Sequence, residues 1–407
     1  MYGGKHSDWP VLFGSVHDHG MRVLVISAVR AVCATLCGAA LILSTVPAAG
    51  TARAHPVRPA QAGGQPGSPA GTAGGIRALP LTLGTAPVAE TGPFSLLGIV
   101  WPDAGQELRG EARVRTRSAE TGEWSPWRRL DAHPDHGPDH GSAERAAHTV
   151  HGGTAPLWTG PADAVQVRVR PAEPDARLPQ GMRLALIDPG EDAPGGGSPA
   201  VEPRGRAAPQ PRITSRADWN ADESLREPEF AYTDSVKTVF VHHTETGNDY
   251  GCAEAPAVIR SIYRYHTEGL GWRDMGYNFL VDRCGTLYEG RAGGVDKPVK
   301  GAHTLGFNHN SAGVAVIGTF SREEVPQEAE DAVARLAAWK LGMYGGDPAG
   351  TRERTSTGGK YPKGTVVRLH TVSGHRDGSE TDCPGDRLHG RLPAIRTAAA
   401  ALAGLQK

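Results

Sequence analysis

Val236-Lys237-Thr238-Val239-Phe240-Val241-His242-His243-Thr244 is a short run of strand formers that ends in two histidines. Its β-branched and aromatic content reads as a buried strand. Ala255 to Glu268 then reads as a helix, with Val258, Ile262, Tyr265 and His266 on one face. Tyr277 to Val281 and Thr286 to Glu289 flank a Cys284-Gly285 turn and read as a hairpin. Ala312 to Phe320 is a further apolar strand. Pro326 sits where a first helical turn tolerates it, and the helix runs to about Leu341 with Val333, Leu336 and Ala337 inward. Val366 to Leu369 reads as the last strand and Leu388 to Leu402 as an Ala-rich closing helix. Such alternation predicts an α/β layer fold, helices on a central sheet, over residues 213–402.

Upstream the character of the chain changes. Residues 191–212 read as a Pro/Gly-rich linker. Residues 81–190 carry short strand-like runs. Phe94 to Trp101 is mostly apolar, Ala112, Val114 and Thr116 alternate with arginines, and Val165, Val167 and Val169 alternate with polar neighbours. Period two with Gly/Pro turns predicts a small all-β, sandwich-like domain of unassigned role. Within it, His133, His136, His140, His148 and His151 lie among Asp, Gly and Pro. No fixed ligand spacing on a rigid element is visible there, so the expected structure is a solvated loop. Residues 55–80 lack large apolar side chains and read as a disordered linker.

Residues 1–54 read as a signal peptide. An apolar run from Ala31 to Val46 follows Arg22 and Arg30, Pro47 breaks it, and Ala52-Arg53-Ala54 supplies a small-x-small cleavage site. The run is about 16 residues where a spanning helix needs about 20, so no stable membrane insertion is expected after cleavage. Residues 1–20 lack the features of an n-region, which makes Met21 a second candidate start. Secretion, with an extracellular or wall-associated product, follows. The whole chain has 407 residues, a formal net charge of -1, 54 glycines and 32 prolines. Balanced charge argues against a nucleic-acid-binding surface over the whole protein.

The candidate chemistry lies where strands end. His242 closes the first strand of the last domain, His375 follows the last strand in Ser373-Gly374-His375-Arg376-Asp377, and Cys383 sits in Thr381-Asp382-Cys383-Pro384-Gly385. Two imidazoles and a thiolate would fill three corners of a tetrahedral Zn2+ site and leave the fourth for water. Spacing alone equally permits packed core side chains. With Cys33 and Cys37 removed in the signal, Cys252, Cys284 and Cys383 remain, an odd number for an oxidising compartment.

Several ordered motifs go further. Residues 213–402 resemble the peptidoglycan recognition proteins and the related phage-type amidase lysozymes, a family of zinc amidases of the type 2 amidase fold, with a central mixed sheet. The resemblance runs through Ile213-Thr214-Ser215-Arg216-Ala217-Asp218-Trp219, Phe240-Val241-His242-His243-Thr244 and Gly271-Trp272-Arg273-Asp274-Met275-Gly276-Tyr277-Asn278-Phe279. It continues through Tyr288-Glu289-Gly290-Arg291, Gly301-Ala302-His303, Asn308-His309-Asn310-Ser311, Gly374-His375-Arg376-Asp377 and Thr381-Asp382-Cys383-Pro384-Gly385.

The resemblance implies a zinc-dependent N-acetylmuramoyl-L-alanine amidase acting on peptidoglycan and muropeptides. It implies His242, His375 and Cys383 as zinc ligands. Tyr277 becomes the phenol beside the scissile carbonyl. Thr381 stands where relatives carry Lys or Thr to support the oxyanion, and as Thr it brings no charge. With Cys383 on zinc, Cys252 and Cys284 are left to pair. His243 should point to the opposite face from His242. His303 and Arg291 are candidate groove residues, although Gly-Ala-His also suits an ordinary loop. Asn308 either contacts substrate or bonds its own turn, and Trp272 either stacks on a sugar or caps the core. The rival function is a non-catalytic recognition module, against which Cys383 stands, since members that only bind have typically lost that ligand.

Overall fold

Alternation along the upstream strands builds the first layer. In a computed structural model, which describes residues 74–81, 84–85, 89–132, 135–147, 150–192 and 208–405, these strands are β1 (Gly75–Pro80), β2 (Gly84–Thr85), β3 (Ala89–Trp101), β4 (Gly110–Ser118) and β5 (Arg128–Leu130), followed after a short helix α1 (Ala143–Ala147) by β6 (Gly152–Gly153), β7 (Leu157–Pro171) and β8 (Arg183–Asp188). The sheet order is β1-β8-β3-β7-β4-β5, antiparallel throughout, with β2 added to β7 and β6 to β3. The expected signal peptide, the first linker up to residue 73 and residues 193–207 of the second linker lie outside the described residues. The end of the first linker is corrected: Gly75–Pro80 is a strand, because Ile76 and Leu79 offer apolar side chains to neighbouring clusters.

The mostly apolar run of β3 continues on both sides of the strand because both of its faces are covered. Leu97, Ile99 and Trp101 join Val114, Val167, Leu184 and Leu186 in the domain's own core. Leu96 and Val100, with Ala185 and Ile187, pack instead against Val258, Ile259, Ile262 and Tyr265 of the following domain. Gly98 is required at this contact, since a Cβ there would lie 2.7 Å from the Tyr265 ring.

The second sheet contains β9 (Ile213–Thr214), β10 (Thr238–His243), β11 (Phe279–Val281), β12 (Leu287–Glu289), β13 (Ser311–Val316) and, later in the chain, β16 (Val372–Gly374). Its order is β16-β10-β13-β11-β12-β9, all parallel except the β11–β12 hairpin. Helix α2 (Ala255–Arg264), extended by a π-helical turn Tyr265–Gly269, covers one face. Helices α3 (Gln327–Gly342) and α5 (Asp386–Leu402) cover the other. The short α4 (His375–Gly378) follows β16. Val366 to Leu369 is a strand, but not of this sheet. As β15 (Val366–His370) it pairs only with β14 (Thr351–Thr355) in a separate hairpin. The last strand of the main sheet is the three-residue β16, too short to register as a periodic run.

Candidate metal centre

Parallel pairing sets the site. Strands β10 and β16 are neighbours with Val241 opposite Gly374, so the next residue on each, His242 and His375, emerges at the same end of the sheet, where open α/β sheets commonly bind ligands. Their rings lie 4.5 Å apart between centroids. The loop before α5 brings in Cys383, tied back by Arg376 N–H to the Cys383 carbonyl (2.9 Å) and by Cys383 N–H to the Thr381 hydroxyl (3.2 Å). The Cys383 Sγ then stands 3.8 Å from His242 Nδ1 and accepts from the His243 backbone N–H at 3.4 Å. His242, His375 and Cys383 are fully buried.

A fourth donor joins them from the other domain. His136, in the histidine-rich segment after β5, places Nε2 3.3 Å from His242 Nδ1 and stacks on the His375 ring at 4.3 Å. Ligand atoms of all four residues lie within 4.8 Å of one another. The expected solvated loop is therefore corrected: part of it is docked against the His242, His375 and Cys383 cluster.

This donor set fits a zinc ion. Burial, with neighbouring histidines adding to it, holds His242 well below the usual imidazole range, which leaves a lone pair for a metal. Burial likewise pushes the Cys383 thiol well up, and a divalent cation would supply the missing counter-charge. His242 Nδ1 faces the cluster, so its Nε2–H is directed at His303 Nδ1, 3.1 Å away. A metal-ligating histidine whose second nitrogen is held by a partner has its tautomer and ring orientation fixed.

His303 therefore sits against His242. It is fully buried and lies against Gly313, where a Cβ would come within 2.5 Å of the imidazole. Burial, with the charges of Arg291 and Arg354, pushes it down to about 3, so it is a neutral acceptor. Asn308 Oδ1 accepts from the backbone N–H groups of His303 (2.7 Å) and Thr304 (3.0 Å), shaping that turn. Trp272 lies tilted against the His266 ring, 4.4 Å between centroids. Arg291 donates through Nε to the Met275 carbonyl at 2.6 Å. His243 points to the opposite face of β10, where its Nδ1 accepts from Phe320 N–H at 3.2 Å.

Tyr277 closes the cluster, 5.3 Å from the His242 ring and edge-on to His136 at 5.8 Å. Burial and the nearby Cys383 and Glu245 push its phenol well above its ordinary value, so it stays protonated at neutral pH. A cavity of about 240 Å³ opens beside Tyr277, His136 and Glu245. Sequence reasoning missed His136 and Glu245. Glu245 adopts φ 58°, a strained conformation for this residue type, and no local pattern in the sequence announces it. Away from the site, Cys252 and Cys284 form a disulfide and Cys383 is the free cysteine among the described residues.

Residues 232–386 match the family described as N-acetylmuramoyl-L-alanine amidase, and residues 52–199 match one described as Rv3811 N-terminal galactose-binding domain-like. Peptidoglycan-recognition protein SC1a of Drosophila melanogaster is 30% identical over 176 residues, 43% of this chain and 81% of the relative. Peptidoglycan-recognition protein 1 of Holotrichia diomphalia is 29% identical over 180 residues, 44% of this chain and 78% of the relative. Among solved structures, Drosophila PGRP-LB is similar with 27% identity and a TM-score of 0.36, covering 44% of this chain and 92% of that one. PGRP-LE in complex with tracheal cytotoxin has 29% identity and a TM-score of 0.36, covering 45% and 92%.

Proposed function

We propose that this chain, which belongs to the peptidoglycan-recognition and N-acetylmuramoyl-L-alanine amidase family, is a secreted, zinc-dependent hydrolase of the amide between N-acetylmuramic acid and the L-alanine of the stem peptide. One observation carries the reading. A buried His-His-Cys set converges at the sheet end beside a protonated phenol, where a recognition module would need neither the thiol nor the convergence. His242, His375 and Cys383 would hold the metal, which when bound lowers the pKa of a water to about 7 and polarises a carbonyl. The remaining work falls to this chain's own groups. His303 keeps the Nε2–H tautomer of His242 and so presents Nδ1 to the centre. Tyr277 donates its hydroxyl proton in a hydrogen bond to the oxygen on which negative charge develops. Thr381 accepts from Cys383 N–H and positions the thiol.

Peptidoglycan fragments are the substrate class because the amidase description and the relatives' names both concern that polymer. Export agrees with the Cys252–Cys284 disulfide, and among the described residues no helix is long and apolar enough to cross a membrane. The test is digestion of defined muropeptides by zinc-loaded and chelated protein, with products weighed by mass spectrometry. Cleavage at the lactyl–alanine bond that needs zinc is the expected result. Tight muropeptide binding by the zinc-loaded chain without new amino termini would make it a recognition module.

A further inference from the structure

The segment that carries His136 does more than touch the metal centre. It meets most of the residues expected to hold substrate. Glu144 of α1 grips Arg291 with two parallel hydrogen bonds of 2.9 and 3.0 Å, both side chains buried, the strong bidentate geometry of guanidinium and carboxylate. Gly137 lies over Trp272, where even an added Cβ would meet the indole at 3.5 Å. The Asn308 amide donates to the Gly137 carbonyl (3.0 Å) and to Asp139 Oδ1 (2.8 Å). Lys300 pairs with Asp139 at 3.3 Å.

We propose that residues 135–147 are a built-in inhibitory segment that occupies the substrate groove, with His136 as a fourth protein ligand of the metal. The inference rests on the hydrolytic reading above. Four protein donors make a closed site of the structural kind, whereas hydrolysis needs one position open to water and substrate. The Asp139 and Glu144 carboxylates of the segment lie on the cationic Lys300 and Arg291, where a peptide bearing carboxylates would compete with them. Beside the ring contacts of His136, the segment is held by hydrogen bonds and ion pairs, which exchange for water or ligand at small net cost. The apolar contact of β3 and β8 with α2 is separate, so the segment can withdraw while the two domains stay joined. A segment withdrawn in only about 1% of molecules weakens apparent substrate affinity about 100-fold.

The experiment uses the full mature chain loaded with cobalt(II), with acetohydroxamate as a small metal-binding probe and a defined muropeptide as the large one. His136→Ala opens the metal but leaves Glu144 on Arg291. Adding Glu144→Gln removes the second anchor while keeping side-chain volume. The visible spectrum of the unmutated chain should ignore acetohydroxamate at concentrations that shift His136→Ala. Muropeptide, titrated by calorimetry, should bind the double variant about 100-fold more tightly than the unmutated chain, with faster cleavage. Identical spectra and probe affinities in His136→Ala and the unmutated chain would remove His136 as a ligand. Unchanged or weaker muropeptide binding in the double variant would make the segment part of the binding surface and overturn the inhibitory role. A double variant that binds both probes better yet cleaves nothing would leave the occlusion of groove and metal standing and remove the hydrolytic reading.

Discussion

Replacing His303 by Leu should separate metal binding from folding. The imidazole accepts the Nε2–H of His242 at 3.1 Å, while its own Nε2 is buried with no hydrogen-bond partner among the described residues. An unsatisfied buried group of that kind costs about 1–3 kcal/mol, so a side chain kept for packing alone would be apolar. Leucine removes that orphan and creates another. His242 Nε2 would retain only the Thr304 hydroxyl at 3.5 Å, a marginal contact that leaves a penalty of the same order, about 1–3 kcal/mol. The two changes oppose each other, and stability of the metal-free chain should move by no more than about 1 kcal/mol. Zinc affinity has no such compensation. Loss of the group that orients a ligand typically costs about 10–100-fold, equivalent to about 1.4–2.7 kcal/mol. Urea unfolding of the metal-free protein and competition for zinc against a chelator measure the two quantities. His303→Ala is the control that should lose both, because it also opens a cavity worth about 2–4 kcal/mol. Zinc affinity of His303→Leu within about threefold of the unmutated chain would refute the assignment of His303 as the residue that positions His242.

Cys383→Ser should lose most bound zinc and nearly all cleavage, since a neutral hydroxyl is a far poorer ligand than a thiolate; zinc per chain by mass or absorption spectrometry checks it. Tyr277→Phe should keep zinc and lose about 10²–10³-fold in cleavage rate if the hydroxyl is one oxyanion donor, a split that a metal ligand would not show. Replacing Cys252 and Cys284 by Ser should cost about 3–4 kcal/mol by the chain-entropy model for a bridge across 32 positions, measured by urea unfolding. Burial, with Arg291 adding to it, pushes His266 down to about 3, and its Nδ1 accepts from Gly276 N–H at 3.1 Å. The unfolded chain therefore takes up this proton first as pH falls. The contribution is complete above about pH 6.5 and is lost toward pH 3, at about 1.4 kcal/mol per pH unit. His266→Gln should flatten the dependence of stability on pH in that window by this amount.

Much of the fold was legible because it rests on local pattern. Period-two alternation in Val165, Val167 and Val169, the β-branched run before His242 and the Pro326 start of α3 each reflect a backbone preference that neighbouring residues express. The short β16 escaped because three residues carry no period. The depth of His303 escaped because Gly-Ala-His states a residue's neighbours in the chain and not its burial. Its burial depends on Gly313, which follows it by ten positions and lies on strand β13 whereas His303 lies in a loop. The mostly apolar run of β3 was visible, but the partner for its second face was not. That partner, α2, begins more than 150 residues later.

The residue types of the site were determined by sequence alone: two histidines and a cysteine at strand ends, a tyrosine in an ordered motif, and two cysteines left to pair. Coordination and anchoring chemistry is carried by those side chains wherever they stand. Tertiary structure alone decided which of their faces stay open. The histidine-rich segment has the composition of a solvated loop, and nothing in its spacing distinguishes a loop in water from one seated on Arg291 and His242. The difference lies in partners contributed from a distance, Glu144 to Arg291 and His136 to His242, since burial and charge pairing depend on position in space whereas composition depends only on order along the chain.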